Sequence, residues 1–397
     1  MAASVPSRRR CPWPDLHPEL IGLVLLRLPS HAHRVRLAAV CRAWRSSARL
    51  QHPLPPLLPW LALPDGTFLS LPDSAIHRLP VPDDVSWRVS TGDALLLVHG
   101  DGRCSLTSPF PAVTTPVALP QPPFWFRRNS RANHLLNSIH KAVVSDDLIA
   151  VLKSRCLHNV FVSTRGHGRP SWRRKWAPPS GSFTADIALF KGKPYVLTTK
   201  EELHVLDAGD QQPSSTVPVV KTLCKLGPPR DDEDFGHPWF NPFATWHYLV
   251  VSGDQLLMVK RIINIPLILP ADIRIEKRTH RFEVFEALFA SDGCGWWREV
   301  DTLMMGRALF VSQGCSDSLP ATFGAQCGVI GAREDCIYFV TERDTRYHQE
   351  RTPQNPFLDS GVYNMRDRTV TPLPLEMATV PTVHKGPWSS TWIFPKT

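Results

Sequence analysis

The chain of 397 residues lacks every short motif that marks a familiar catalytic site. It has no GxSxG elbow, no Walker A glycine loop, no HExxH and no GxGxxG. No nucleophile is paired with a base, so no catalytic residue is assigned and the chain reads as non-enzymatic. Its nine cysteines, at 11, 41, 104, 156, 224, 294, 315, 327 and 336, are odd in number and include no CxxC pair. That argues against both a disulfide framework and a zinc site. His31 and His33, like His237 and His247, lack a third ligand at useful spacing, and the acids Asp231, Asp232, Glu233 and Asp234 sit in a Pro-rich stretch where carboxylates are ordinarily solvated. No metal and no cofactor is expected. There is no Asn-x-Ser/Thr sequon, and no apolar run approaches the ~18–20 residues of a membrane span. Arg8–Arg10 followed by apolar residues has the outline of a signal peptide, but Asp15, Glu19 and Arg27 interrupt it. These absences predict a soluble protein of a reducing compartment, nucleus or cytoplasm or both, without membrane contact.

What is abundant is proline, 39 residues, nearly 10% of the chain and about twice the usual ~5%. That disfavours long helices and favours short strands between turns. A hydrophobic content of 43%, with 13 Trp and 18 Phe, is ample for a large core. The net charge of +9 is localised: residues 1–50 carry nine Lys or Arg against two acids, leaving only +2 for the rest. A nucleic-acid footprint over the body is therefore unsupported. RPSWRRKW (169–176) interleaves bases with aromatics, but as a strand it sends the two sets to opposite faces.

From residue 60 onward one unit recurs: an apolar strand A, a tight polar turn, strands B and C, and a more variable strand D. FTADIALF, Lys191-Gly192-Lys193, PYVLTT, ELHVLD and TVPVVKTL give the clearest copy. Others begin at WRVS, KAVVS, WHYLVVS and RALFVS, and a truncated one (WLALP, TFLSLP, IHRLP) opens the series without a strand A. Short alternating strands repeated every ~40–50 residues predict a β-propeller, here with six blades. The lone run Thr391–Phe394 is expected to complete the first blade and close the ring. The predicted fold is mainly β: a basic, disordered tail (1–12), a helical domain (13–50), a Pro-rich linker (51–59) and the propeller (60–397).

The stretch from Trp13 to Arg45 is the exception to the β pattern. Asp15 is the expected N-cap, Pro18 and Glu19 suit a first helical turn, and Pro29 ends the helix. From Leu20 to Leu26 that helix is apolar almost all round, which requires two buried sides. A segment of ~35 residues cannot supply both walls, so a partner protein is expected as the second. In the next helix Leu37, Val40, Cys41 and Trp44 share a face at helical spacing, with Arg34, Arg42, Arg45 and Arg49 on another.

The succession Trp13, Asp15, Leu16, Pro18, Glu19, Leu20, an apolar helix, Leu28, then Val40, Cys41, Trp44 and Arg45 resembles an F-box, with His17 where that family usually has its first proline. The succession SGDQLLMV, FEVFEA, WWREVDTL, RALFVS, DCIYFVT and GVYNMRD is similar to the KIB-type propeller of a large plant F-box family, over roughly residues 60–397. Together these resemblances imply a substrate-receptor subunit of an SCF-type cullin-RING ubiquitin ligase. They imply binding of a Skp1-like protein, and through it a cullin, by Trp13, Leu16, Pro18, Leu20, Ile21, Val24, Leu25, Leu28, Val40, Cys41 and Trp44.

In a four-stranded blade the B–C loops and D–A connections share one face. The long segments 120–139, 225–245, 261–279 and 342–359 fall there, and only 312–332 falls on the other. A protein substrate is accordingly expected at Phe124, Trp125, Phe126, Arg127 and Arg128, with Trp239, Phe240, Arg343 and Tyr347. The alternative is a propeller that sequesters or inhibits a partner such as a protein kinase, without ubiquitination and with the helices only a cap.

Overall fold

The computed structural model describes residues 13, 16–28, 30–51, 54, 56–78, 82–101, 103–110, 117–119, 139–153, 159–164, 173–179, 181–206, 243–264, 278–291, 294–321, 331–341, 357–375 and 389–395. Helix α1 (Pro18–Leu26) begins on a proline, whose fixed φ and missing N–H suit the first turn. Its N-cap is His17, which makes no side-chain cap bond; Asp15, the expected cap, lies outside the described residues. Helix α2 (His31–Ala39) is capped by Ser30, whose hydroxyl accepts the His33 N–H at 3.5 Å. Helix α3 (Arg42–Arg49) is capped by the Cys41 sulfur, which accepts the Trp44 N–H at 3.4 Å. The chain therefore breaks at Val40–Cys41. Leu37 lies in α2 and Trp44 in α3, with Val40 and Cys41 at the break between them, so the four residues expected on one helix face do not share a helix.

Blade 1 comprises β1 (Trp60–Ala62), β2 (Phe68–Ser70) and β3 (Ile76–His77). Blade 2 is β4 (Val85–Ser90), β5 (Leu95–His99), β6 (Cys104–Thr107) and β7 (Val117–Leu119). Blade 3 is β8 (Ile139–Val144), β9 (Leu148–Lys153), β10 (Val160–Thr164) and β11 (Arg173–Trp176). Blade 4 shows β12 (Thr184–Phe190), β13 (Lys193–Thr198) and β14 (Leu203–Val205) among the described residues. The turn joining β12 to β13 places Lys191 and Gly192 at φ 50° and 74°, the paired left-handed conformation of a tight hairpin. Blade 5 has the longest strands, β15 (Phe243–Ser252), β16 (Gln255–Asn264) and β17 (Arg278–Phe289), edged by β18 (Gly295–Glu299). Its strands thus run into the segment 261–279 that the sequence suggests as a loop.

Blade 6 departs from the repeat. Its strands are β19 (Arg307–Val311), β20 (Asp317–Pro320), β21 (Cys336–Phe339), β22 (Gly361–Asn364) and β23 (Val370–Thr371), ordered β20-β19-β21-β22-β23. Residues 312–332 are expected to form an A–B loop. Instead their first part folds back as β20 antiparallel to β19, and β19 lies parallel to β21. The last strand, β24 (Thr391–Ile393), pairs antiparallel with β1, giving blade 1 the order β24-β1-β2-β3. The strand missing from the first repeat is supplied by the other end of the chain, as expected.

Alternation explains why the blades stack. Successive side chains of a strand point to opposite faces, and each sheet is covered on both. On β9, Ile149 and Val151 join Leu96 and Val98 of blade 2, while Ala150 and Leu152 join Ile187 and Val196 of blade 4. On β19, Leu309 and Val311 face Val250 and Val259 of blade 5, while Ala308 and Phe310 face Leu61 and Trp392 of blade 1. Two further seams, blade 1 with 2 and blade 4 with 5, complete a ring of six apolar interfaces.

Polar groups cross several seams. Arg261, read from the sequence as the start of a loop, is 1% exposed. It lies over the Phe339 ring and donates to the Val340 carbonyl at 2.8 Å and to Asp359 Oδ2 at 2.9 Å. Arg88 performs a similar task between blades 2 and 1, donating to the carbonyls of Leu63 and Gly66.

Candidate docking site

The three helices form a module with its own small core. Ile21, Leu25 and Leu37 are buried there, with Leu16, Leu28, Trp44, Ala48 and Leu54 packed around them. Gly22 lies on the inner side of α1, where a Cβ would displace the end of the Gln51 side chain, which donates to the Pro18 carbonyl at 3.1 Å. The module sits on blades 1 and 2. Ser30 donates to Asp73 Oδ2 at 2.9 Å, and His33 Nε2 lies 3.5 Å from the same carboxylate. The His31 ring meets the edges of Phe110 and Trp60 at 5.2 and 6.3 Å, and His77 stacks on Trp60 at 4.2 Å. Asp73 and Phe110 both follow the third strand of their blades, β2 and β6. The module thus rests on the edge of the disc that carries the C–D turns. The B–C loops emerge at the opposite edge.

The other side of α1 faces outward. Leu20 is 47% exposed and Val24 41%, against 0% for Ile21 and 2% for Leu25. Trp13, Leu23, Leu26, Val35, Val40 and Leu50 are exposed as well. Half of the exposed large apolar side chains among the described residues fall in this one-tenth of the chain, a concentration that marks interaction surfaces. Of the residues assigned to partner binding, Trp13, Leu20, Val24 and Val40 lie at the surface. Pro18, Leu16, Leu28, Cys41 and Trp44 are half-buried behind it, and the Trp44 indole donates to the Trp13 carbonyl at 2.7 Å. Ile21 and Leu25 lie in the module's core and support the face rather than form it. Leu23, Leu26, Val35 and Leu50 join this face beyond the residues the sequence assigns to it; for Leu23 and Leu26 the signal is the run LIGLVLL, which offers more apolar positions than one buried stripe can take. His17 leaves the helix start intact: its carbonyl accepts the N–H of Leu20 at 3.0 Å.

The nine substrate candidates, Phe124, Trp125, Phe126, Arg127, Arg128, Trp239, Phe240, Arg343 and Tyr347, lie outside the described residues, as do Asp231–Asp234 and His237. Two charged clusters of the described propeller combine burial with shifted carboxylates. At the hub, Lys141 and Asp186 form a buried pair, and burial pushes the nearby Asp317 carboxyl up to about 6. Between blades 4 and 5, Glu201 is partly buried, which would raise it. The bonds it accepts from His247 and Lys260 outweigh that and hold it at about 2. Burial pushes the Cys104 and Cys315 thiols up to about 12, as expected of inert core cysteines. Among the described residues no group of three or more His, Cys, Asp or Glu could hold a metal ion, and no helix is long and apolar enough to cross a membrane.

The KIB1-4 beta-propeller family model matches residues 68–364. No curated protein matches the chain. Among solved structures the chain is similar to the N-terminal domain of Nup159, with 8% identity over 75% of this chain and 63% of that one and a TM-score of 0.31. It thus spans less than two thirds of that domain. It is also similar to the Cps50 (Swd1) β-propeller domain of Myceliophteria thermophila, with 13% identity, 60% and 80% coverage and a TM-score of 0.26. A third likeness is to HIRA(644-1017), with 10% identity, 41% and 53% coverage and a TM-score of 0.23. Overlaps this low carry no argument about function.

Proposed function

The chain belongs to the KIB1-4 beta-propeller family, and from that premise we propose that it is the substrate-receptor subunit of an SCF-type cullin-RING ubiquitin ligase. The observation that carries this reading is the outward apolar face of α1, held by a module that is itself anchored to the propeller through Ser30 and Asp73. A face of this size beside exposed Arg36, Arg42, Arg45 and Arg49 suits a partner that is apolar at its centre and acidic at its rim. The F-box order of residues 13–45 names that partner as a Skp1-like protein, and through it a cullin.

Under this reading the chain performs no chemistry. It acts by proximity: the propeller holds a protein substrate, the module joins the ligase, and substrate lysines gain effective concentration near the conjugating enzyme. The module rests on the C–D edge, and the substrate is assigned to the opposite edge of the disc. The setting is the nucleus, the cytoplasm or both, and the source a plant. Co-purification of the full-length chain with a Skp1-like protein tests the reading. Association should be lost when Leu20 and Val24 are both changed to Asp; association that survives this double change overturns the docking assignment.

A further inference from the structure

A cavity of about 380 Å³ opens at the seam between blades 5 and 6. Its floor is apolar and buried, formed by Phe282 and Val284 of β17 with Tyr363 of β22 and Met365 just beyond it. Phe282 and Tyr363 hold their rings 5.2 Å apart. The rim is charged and exposed. Asp301 stands on the blade 5 side, just after β18, and Arg368 on the blade 6 side, in the turn between β22 and β23.

Five charged side chains line the cavity, and of these Arg281, Glu283 and Glu299 are engaged with partners. Arg281 lies 3.2 Å from Glu283, which also has Lys260 at 3.6 Å, so these groups answer one another. The side chains of Asp301 and Arg368 make no ion pair or hydrogen bond among the described residues. Arg368 holds φ at 60° because it closes the tight turn between β22 and β23, its N–H donating to the Asn364 carbonyl at 2.9 Å. One negative and one positive group, each without a side-chain partner among the described residues, thus line a single cavity over Phe282 and Tyr363.

A polar, exposed rim over a buried apolar floor has the anatomy of a protein-binding patch. We propose that this seam binds an extended peptide segment of a partner protein carrying one basic and one acidic side chain in close succession. The basic group pairs with Asp301, the acidic group with Arg368, and their aliphatic stems lie over Phe282 and Tyr363. The inference rests on the receptor reading only for the claim that the peptide belongs to a ligation substrate.

The test is fluorescence polarisation of the full-length chain with N-acetylated, C-amidated peptides containing one Lys and one Glu spaced by zero to three Gly residues. At least one spacing should bind saturably. Asp301→Arg and Arg368→Glu should each weaken it at least about tenfold, because each places like charges together. The double reversal should recover binding to the peptide with Lys and Glu exchanged. Binding by no spacing, or binding indifferent to both reversals, overturns the proposal. If either reversal lowers the melting temperature, Asp301→Asn and Arg368→Gln decide the question by the same loss or persistence of binding. A chain that binds the peptide but no Skp1-like protein overturns the ligase reading and leaves this one standing.

Discussion

The Trp392 indole donates to the carbonyl of Val311 at 3.0 Å, joining the last strand of the chain to blade 6. Backbone pairing places β24 in blade 1, through Trp60↔Ile393 and Ala62↔Thr391. The strand thus belongs to one blade by its backbone and to the next by its side chain. Trp392 is fully buried and meets Phe310 edge-on at 5.5 Å. Trp392→Ala should cost about 3–5 kcal/mol, the loss typical of a buried aromatic. Equilibrium urea unfolding checks this. A loss under ~1 kcal/mol would mean that strand pairing alone closes the ring.

The hub predicts a different pattern. Lys141 Nζ lies 2.8 Å from Asp186 Oδ2, with both side chains 4% exposed, and the same carboxylate oxygen accepts the Leu249 N–H at 2.7 Å. One carboxylate therefore ties blades 3, 4 and 5 together. Removing one partner of such a pair strands the other charge. Lys141→Met and Asp186→Leu should each cost about 3–5 kcal/mol, while the double change should cost far less than their sum. A double-mutant cycle measures the difference, and additive losses would show that the pair is not coupled.

The seams are legible because unbroken apolar runs of four to six residues, as in β9, state that both faces of the strand are buried. The closing strand was legible because the first repeat lacked a strand and Thr391–Phe394 stood alone. Blade 6 was not. The residues of β20 include an aspartate, a serine and a proline, and a parallel neighbour for β19 leaves no mark on local pattern. Arg261 was hidden for a related reason, since a guanidinium reads as a surface group until Asp359, 98 residues away, is folded beside it. On α1, an all-round apolar sequence could announce two faces but could not say which one α2 and α3 would take.

The junction between module and propeller predicts a pH dependence. Burial lowers the His31 pKa, with help from Arg34 and His77; burial also lowers His77, against Asp73 and with Arg36. Their Nε2 atoms are buried without hydrogen-bond partners among the described residues, and both rings pack on Trp60. The docked state therefore holds both rings neutral. Its stability should be fully present above the ordinary histidine value of ~6.5 and fall as pH drops below it. Energy transfer between dyes on Arg49→Cys and a propeller site would report undocking in acid. His31→Phe, which keeps an aromatic against Phe110, should flatten the profile. An unchanged profile would remove His31 from the account.

The two sides of α1 make the sharpest prediction because they separate stability from association. Leu20 and Val24 project outward, so Leu20→Asp with Val24→Asp should move the melting temperature little: exposed substitutions usually stay within about 0.5 kcal/mol. Ile21→Asp places a carboxylate in the core with Leu25 and Leu37, and should unfold the module. Both variants should lose a Skp1-like partner in co-purification, but only the second should also lose helical circular dichroism and protection of residues 16–51 from proteolysis. If the propeller instead sequesters a partner without ubiquitination, the outward variant should leave that partner's level unchanged in cells, as should proteasome blockade. If the chain is a ligase receptor, both treatments should raise it. The same two substitutions thus ask whether the exposed leucines are a cap's incidental surface or the handle of an assembly.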